Sequence, residues 1–89
     1  MSVFIVSYDL RQPGRNYQPL YDRLSGWGAI RLLESVWAVN ANTNATDLRN
    51  DLLSRMDAND GILVAITQGA AWNNLIGQSG PTLKRWIDG

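Results

Sequence analysis

An antiparallel sheet with two helices packed on one of its faces is the fold class that this sequence predicts. Three short runs rich in β-branched and aromatic residues indicate strands. Two segments between them repeat apolar residues at helical spacing, which indicates amphipathic helices. At 89 residues the chain is long enough for one domain with a modest core.

The first predicted element is a strand over residues 2–9, and it ends in an acid. Alternation places one set of side chains on one face, namely Phe4, Val6 and Tyr8, and puts Val3, Ile5, Ser7 and Asp9 on the other. Both faces are largely apolar, so we expect this strand to be buried. Asp9 then carries a carboxylate to the tip of a buried strand.

A helix over residues 17–27 is the second predicted element. Its apolar residues recur at helical spacing, at Tyr17, Leu20, Tyr21, Leu24 and Trp27. Asn16 is a residue type that caps helices, and Pro19 suits the first turn. Gly26 and Gly28 mark the helix end.

Residues 29–41 are extended, and Glu34-Ser35 interrupts them, so we expect two strands or one sharply bent strand. Asn44 and Asp47 resemble a capping pair for a second helix. The buried stripe of that helix is predicted to consist of Leu48, Leu52, Leu53 and Met56.

An acidic turn over residues 57–61 ends the second helix, and residues 62–67 form the last predicted strand. Asp57 and Asp60 are expected to serve this turn. This order of elements predicts a ferredoxin-like α+β sandwich, with a core over residues 1–68 and a C-terminal extension over residues 69–89. Pro81 is placed to open a short helix in the extension. The tail or a second subunit is expected to cover the free face of the sheet.

The composition excludes several kinds of chemistry. The chain has no Cys and no His, which excludes a disulfide framework, thiolate catalysis and typical zinc sites. The composition does not exclude a site for a hard cation held by carboxylates and water. Eight basic residues balance eight acidic ones, which counts against a large electrostatic grip on nucleic acid. No apolar stretch reaches the length of a spanning helix, and we expect a cytoplasmic protein without membrane contact.

Asp9 is the first candidate for a catalytic group or a metal ligand, and its alternative role is to orient the following turn. Arg11, Arg15 and Arg31 are candidates for a nucleic-acid-binding patch, against the default of solvated surface charges. Ser35 is a polar residue in an extended apolar run, which a backbone hydrogen bond at a bend also explains. Four tryptophans occur in the chain, and we expect Trp37 or Trp72 at a dimer contact.

The chain resembles the small ferredoxin-like CRISPR-associated proteins of the spacer-acquisition complex and the related virulence-associated protein D toxins. Five features over roughly residues 1–68 carry the resemblance: the strand end Ser7-Tyr8-Asp9-Leu10, the helix end Trp27-Gly28, the segment Ser35-Val36-Trp37, the helix after Asn44, and the acidic turn before Ile62.

The resemblance implies a homodimer whose sheets face each other, with the two Asp9 carboxylates close together. Such a pair would hold Mg²⁺ or Mn²⁺ for phosphodiester cleavage, and Ser35 would lie near that catalytic site. Family members often carry a basic cluster after the strand-end acid, whereas this chain has the separated Arg11 and Arg15. Whether it is an enzyme therefore stays open. The alternatives are a non-catalytic scaffold that binds nucleic acid or protein, and a toxin-like stand-alone relative.

Overall fold

A computed structural model describes all residues from 1 to 89. Four strands and three helices follow in the order β1 (Ser2–Asp9), α1 (Gln18–Gly26), β2 (Ile30–Leu33), β3 (Val36–Ala41), α2 (Ala45–Leu53), β4 (Gly61–Thr67) and α3 (Ser79–Asp88). The strands form one antiparallel sheet in the order β2-β3-β1-β4. The predicted ferredoxin-like α+β fold is confirmed. None of the three helices has the length and apolar character that crossing a bilayer requires.

The larger core lies between the sheet and the pair of helices α1 and α2. Alternate residues of β1 point into it, and the helical stripes predicted from spacing meet them there. Its buried members are Phe4, Val6, Tyr8, Leu20, Leu24, Trp37, Val39, Ala41, Leu48, Leu52 and Met56. Trp37, predicted as a possible dimer contact, is thus buried in the core of its own chain.

The opposite face of the sheet is covered in part by the C-terminal extension. Leu83 of α3 is 2% exposed and packs against one residue from each of three strands, namely Val3, Leu32 and Ala38. The helix begins at Ser79, two residues before the predicted opening at Pro81, so Pro81 lies in its first turn. The buried cluster around Leu83 includes residues of β1, β2 and β3 but none of β4, and Leu63 of β4 is 65% exposed on that face.

Two of the predicted local signals work as hydrogen bonds. Asn44 caps α2, because its Oδ1 accepts from the backbone N–H of Asp47 at 2.8 Å. Asn16 Oδ1 accepts from the backbone N–H of Gln18 at 3.0 Å, one residue before the cap position of α1. The extended segment divides into two strands, β2 and β3, at the Glu34-Ser35 turn.

The Asp60 carboxylate joins two loops that carry no regular structure. It accepts from the backbone N–H of Arg11 at 2.7 Å, from the Tyr17 hydroxyl at 2.8 Å, and from the backbone N–H of Asp57 at 2.8 Å. Burial by itself would raise the pKa of Asp60, but these three donors outweigh it, so the pKa lies below the ordinary value of 3.8. Asp60 is a turn residue, as predicted, and it also holds the loop that follows β1.

Asp60→Asn is expected to lower the free energy of unfolding at pH 7 by about 2 kcal/mol, because three donors lose a charged acceptor. The pKa of Asp60 is depressed in the folded state, so its contribution is complete above about pH 4 and declines as the pH falls below that. Urea unfolding between pH 3 and 7 measures both effects.

Asp88→Asn is the matched control for that substitution. Asp88 pairs with Lys84 at 2.9 Å, and its side chain is 60% exposed, so its loss should change stability by only a few tenths of a kcal/mol. Equal effects of the two substitutions would contradict the role assigned to Asp60.

Candidate functional site

A pocket of about 260 Å³ opens where β1 ends beside the turn between β2 and β3. Seven residues line it: Tyr8, Asp9, Leu10, Tyr21, Arg31, Glu34 and Ser35. The backbone N–H of Tyr8 donates to the carbonyl of Ser35 at 3.1 Å, which extends the β1–β3 ladder by one residue. That hydrogen bond holds the turn next to Asp9.

Arg31 is the cation in this pocket, and its position is fixed from two sides. Its guanidinium carbon lies 5.3 Å from the ring centre of Tyr21 and 5.2 Å from that of Trp37. The two rings are nearly parallel, with centres 6.4 Å apart. Its Nε donates to the carbonyl of Glu34 at 3.0 Å, and Nη2 donates to the same oxygen. The remaining guanidinium hydrogens are available to a ligand.

Arg31 owes this position to the register of the sheet. Arg31 and Trp37 are direct partners across β2 and β3, so their side chains stand on the same face of the sheet. Tyr21 reaches the pair from α1. A bulge between Arg31 and Leu33 distorts the edge strand at this point. Bulges commonly redirect a side chain next to a functional site.

Tyr8 brings a buried hydroxyl to the pocket wall. Its oxygen accepts from Trp37 Nε1 at 3.0 Å. Burial raises the pKa of Tyr8 above its ordinary value of 10.0, although the hydrogen bond from Trp37 and the charge of Arg31 oppose the shift. Tyr8 is therefore a neutral phenol at physiological pH, and it can donate its proton to a ligand.

Asp9 lies on the rim of the pocket and is exposed to solvent. Its Oδ2 accepts from Arg11 Nε at 2.9 Å, and the two side chains are 70% and 56% exposed. Arg11 Nη1 also donates to the carbonyl of Asn59 at 3.2 Å. No three acidic side chains of the chain come close enough to hold a metal ion. One chain therefore offers at most two carboxylates to a Mg²⁺ or Mn²⁺ ion.

The structure brings three of the five predicted site residues into the pocket, namely Asp9, Ser35 and Arg31. Arg11 touches the rim through its ion pair with Asp9. Arg15 lies outside the pocket lining, where it is 3.5 Å from the Asp57 carboxylate and lies over the ring of Tyr17. Arg15 and Arg31 therefore do not line the same pocket, and the patch of three arginines stays a prediction.

Sequence reasoning missed Tyr21 and Glu34 as residues of this site. The helical spacing of α1 predicts only burial for Tyr21, although a tyrosine at such a position carries a hydroxyl that needs a polar partner or solvent. Glu34 was treated as an interruption between strands. The signal for it was its place beside Ser35, in the turn that faces the end of β1.

No protein-family model and no solved structure matches this chain.

Asp9→Asn is expected to change the free energy of unfolding by less than about 0.5 kcal/mol, because its ion pair with Arg11 is exposed. Arg11→Gln should behave in the same way. Urea unfolding at pH 7 tests both variants. A loss above about 1.5 kcal/mol would mean that Asp9 is needed for folding, and any functional defect of the Asp9 variant would lose its meaning.

Proposed function

We propose that this protein binds single-stranded nucleic acid and accepts one nucleotide in the pocket at the end of β1. The observation that carries the proposal is the guanidinium of Arg31, held against Tyr21 and Trp37 inside an open pocket. A guanidinium offers a flat surface on which a base can stack and hydrogens that a phosphate can accept. Tyr21 is partly exposed and adds an aromatic surface.

The size of the pocket favours one unit of a longer strand over an enclosed small molecule. Its volume of about 260 Å³ lies below the range of about 300–1,000 Å³ that is typical of small-molecule sites. The neutral hydroxyl of Tyr8 and the side chain of Ser35 supply hydrogen-bonding groups on the wall. These groups suit the polar edge of a base or a ribose hydroxyl.

The charges around the pocket favour weak binding to a single strand. Arg31 and Arg11 are balanced by Asp9 and Glu34, and the whole chain has eight basic and eight acidic residues. A duplex, held mainly through its phosphates, needs a more basic surface. A single strand can be held by stacking, which does not depend on net charge.

The resemblance to the small CRISPR-associated proteins agrees with a role in nucleic-acid processing, and a cytoplasmic location belongs to the same proposal. In the alternative of a toxin-like relative, the same activity would belong to a stand-alone protein. If the pocket binds no strand, the alternative is a non-catalytic scaffold whose partner is a protein.

Binding is best tested by fluorescence anisotropy with labelled single-stranded RNA and DNA of about ten nucleotides. Arg31→Ala should weaken binding by about tenfold, which corresponds to about 1.4 kcal/mol. Arg49→Ala is the control, because Arg49 is an exposed arginine of α2 that contacts only Asn50. A plot of log affinity against log salt should have a slope of about −0.7, since the pocket accepts one nucleotide and a single strand contributes about 0.7 for each phosphate contact.

Two results would contradict this assignment of the pocket. One is equal loss of affinity in Arg31→Ala and Arg49→Ala, which would indicate nonspecific charge attraction. The other is no binding of either strand by the wild type in low salt, which would favour the protein-binding scaffold.

Metal-dependent cleavage is the second candidate, because two acids, Asp9 and Glu34, line the same pocket. Mg²⁺ takes about six oxygen ligands, of which a protein usually supplies one or two carboxylates. Water and the phosphates of a bound strand would have to supply the others. This candidate therefore depends on the strand binding proposed above. The chain has no His that could activate Ser35 as a nucleophile.

Cleavage is tested by titrating Mg²⁺ and Mn²⁺ over labelled RNA and DNA, with Asp9→Asn and Asp22→Asn in parallel. Asp22 is an exposed acid of α1 outside the pocket, so its variant should behave like the wild type. If the nuclease assignment is correct, products require the metal and disappear in Asp9→Asn. Strand binding without products at any metal concentration would leave the pocket as a binding site only.

A further inference from the structure

The two edges of the sheet differ in how well they are protected from other strands. β4 is one edge, and its seven residues, Gly61–Thr67, include neither a charge nor a proline. Leu63 is 65% exposed and Ile66 is 58% exposed. The outward backbone groups of β4 make no hydrogen bond to any other segment of the chain. An uncharged edge without a proline or a bulge pairs readily with another strand.

The other edge, β2, has several of the devices that prevent such pairing. It is only four residues long, contains Arg31, and carries a bulge between Arg31 and Leu33. The C-terminal extension also reaches it, because the backbone N–H of Ile76 donates to the carbonyl of Leu32 at 2.9 Å. Short length, charge, a bulge and a covering segment are the usual protections of an edge strand.

We propose that two copies of this chain pair through β4, antiparallel and about a two-fold axis, to form one continuous eight-stranded sheet. An antiparallel pair of identical strands is self-complementary, and an uncharged strand brings no like charges together. Each chain has a single free edge, so the pairing closes at two copies and does not extend into a filament. This assembly does not depend on the function proposed for the pocket.

The covered faces of the sheet argue for this edge contact over stacked sheets. Helices α1 and α2 occupy one face, and α3 occupies much of the other. Leu63 and Ile66 of β4 are among the most exposed apolar residues of the chain, and they lie on opposite faces of the sheet. With the two-fold axis at Val64, Leu63 stands opposite the partner's Ala65, so these two exposed side chains pack against each other across the interface.

The arrangement also sets the distance between the two pockets. Asp9 is the register partner of Gly61, at one end of the β1–β4 ladder. With the axis at Val64, Gly61 stands opposite the partner's Thr67, so the two Gly61 residues are about 20 Å apart along the strand direction. The two Asp9 carboxylates therefore cannot share a metal ion. This differs from the facing sheets that the family resemblance implies.

Sedimentation equilibrium of the wild type and two lysine variants tests the interface. The double variant Leu63→Lys with Ala65→Lys places charges on exposed positions of the edge, and its dimer dissociation constant should rise at least about tenfold. Leu33→Lys is the matched control, because Leu33 is 44% exposed on the protected edge, and its dimer should be unchanged. Circular dichroism checks that each variant is folded.

A cysteine scan locates the axis without relying on destabilising changes. Hydrogen-bonded and non-hydrogen-bonded pairs alternate along an antiparallel ladder, so a two-fold axis must place one residue opposite its own copy. The natural chain has no cysteine, so each variant carries only one. Among Leu63→Cys, Val64→Cys and Ala65→Cys, we expect one to form a disulfide dimer in much higher yield, with Leu33→Cys as the background.

The possible outcomes separate this interface from the alternatives. A monomeric wild type overturns the proposal. A dimer that survives the lysine pair and yields no preferred cysteine also overturns it, and points to contact through a sheet face. Loss of the dimer in the lysine pair, together with one preferred cysteine, supports it. Strand binding by Arg31 is measured separately, so the failure of one proposal does not decide the other.

Discussion

The burial of β1 on both faces is the constraint on which the rest of this structure depends. Phe4 and Val6 point to one side of the sheet and Val3 to the other, and all three are almost fully buried. Helices α1 and α2 satisfy only the first side. The second side requires another cover, and α3 supplies it from the C-terminal extension. The extension is therefore part of the fold, although it lies outside the ferredoxin-like core.

The same central strand determines where a pocket can form. β1 runs between β3 and β4, and its last residue, Asp9, is exposed at the end of the strand. The hydrogen bond from Tyr8 to Ser35 brings the β2–β3 turn to that end, and the turn carries Glu34. Arg31 joins from the neighbouring edge because it stands opposite Trp37. The pocket is thus a consequence of strand register, and its polar residues come from four separate segments.

The elements themselves could be predicted from sequence, because each depends on local patterns. Alternation in β1 assigns its two faces correctly, and the Asn44 cap follows from residue type alone. The contact of Arg31 with Tyr21 and Trp37 could not be predicted in this way, since it needs the register of two strands and the position of a bulge. The Asp60 contacts with Arg11 and Tyr17 span more than forty residues of sequence, so a turn motif shows only their local part.

The docking of α3 is another case in which local pattern was insufficient. The spacing of Leu83, Trp86 and Ile87 predicts a helix with one apolar side, but it does not say which surface receives that side. The answer depends on which face of the sheet α1 and α2 leave free. This also decides what a second copy can contact, because α3 occupies a surface that facing sheets would use.

For a protein without net charge and with a small pocket, presenting two pockets together would raise the affinity for a strand. Each pocket balances its arginines with acids, so under the proposed function a single site would bind a strand weakly. In the proposed edge-paired dimer one continuous sheet would hold the two pockets at a fixed separation, and one strand of sufficient length would reach both. The second contact is then intramolecular, which raises the apparent affinity without any new contact. Such a dimer would discriminate between strands by their length more than by their sequence, since stacking is tolerant of base identity.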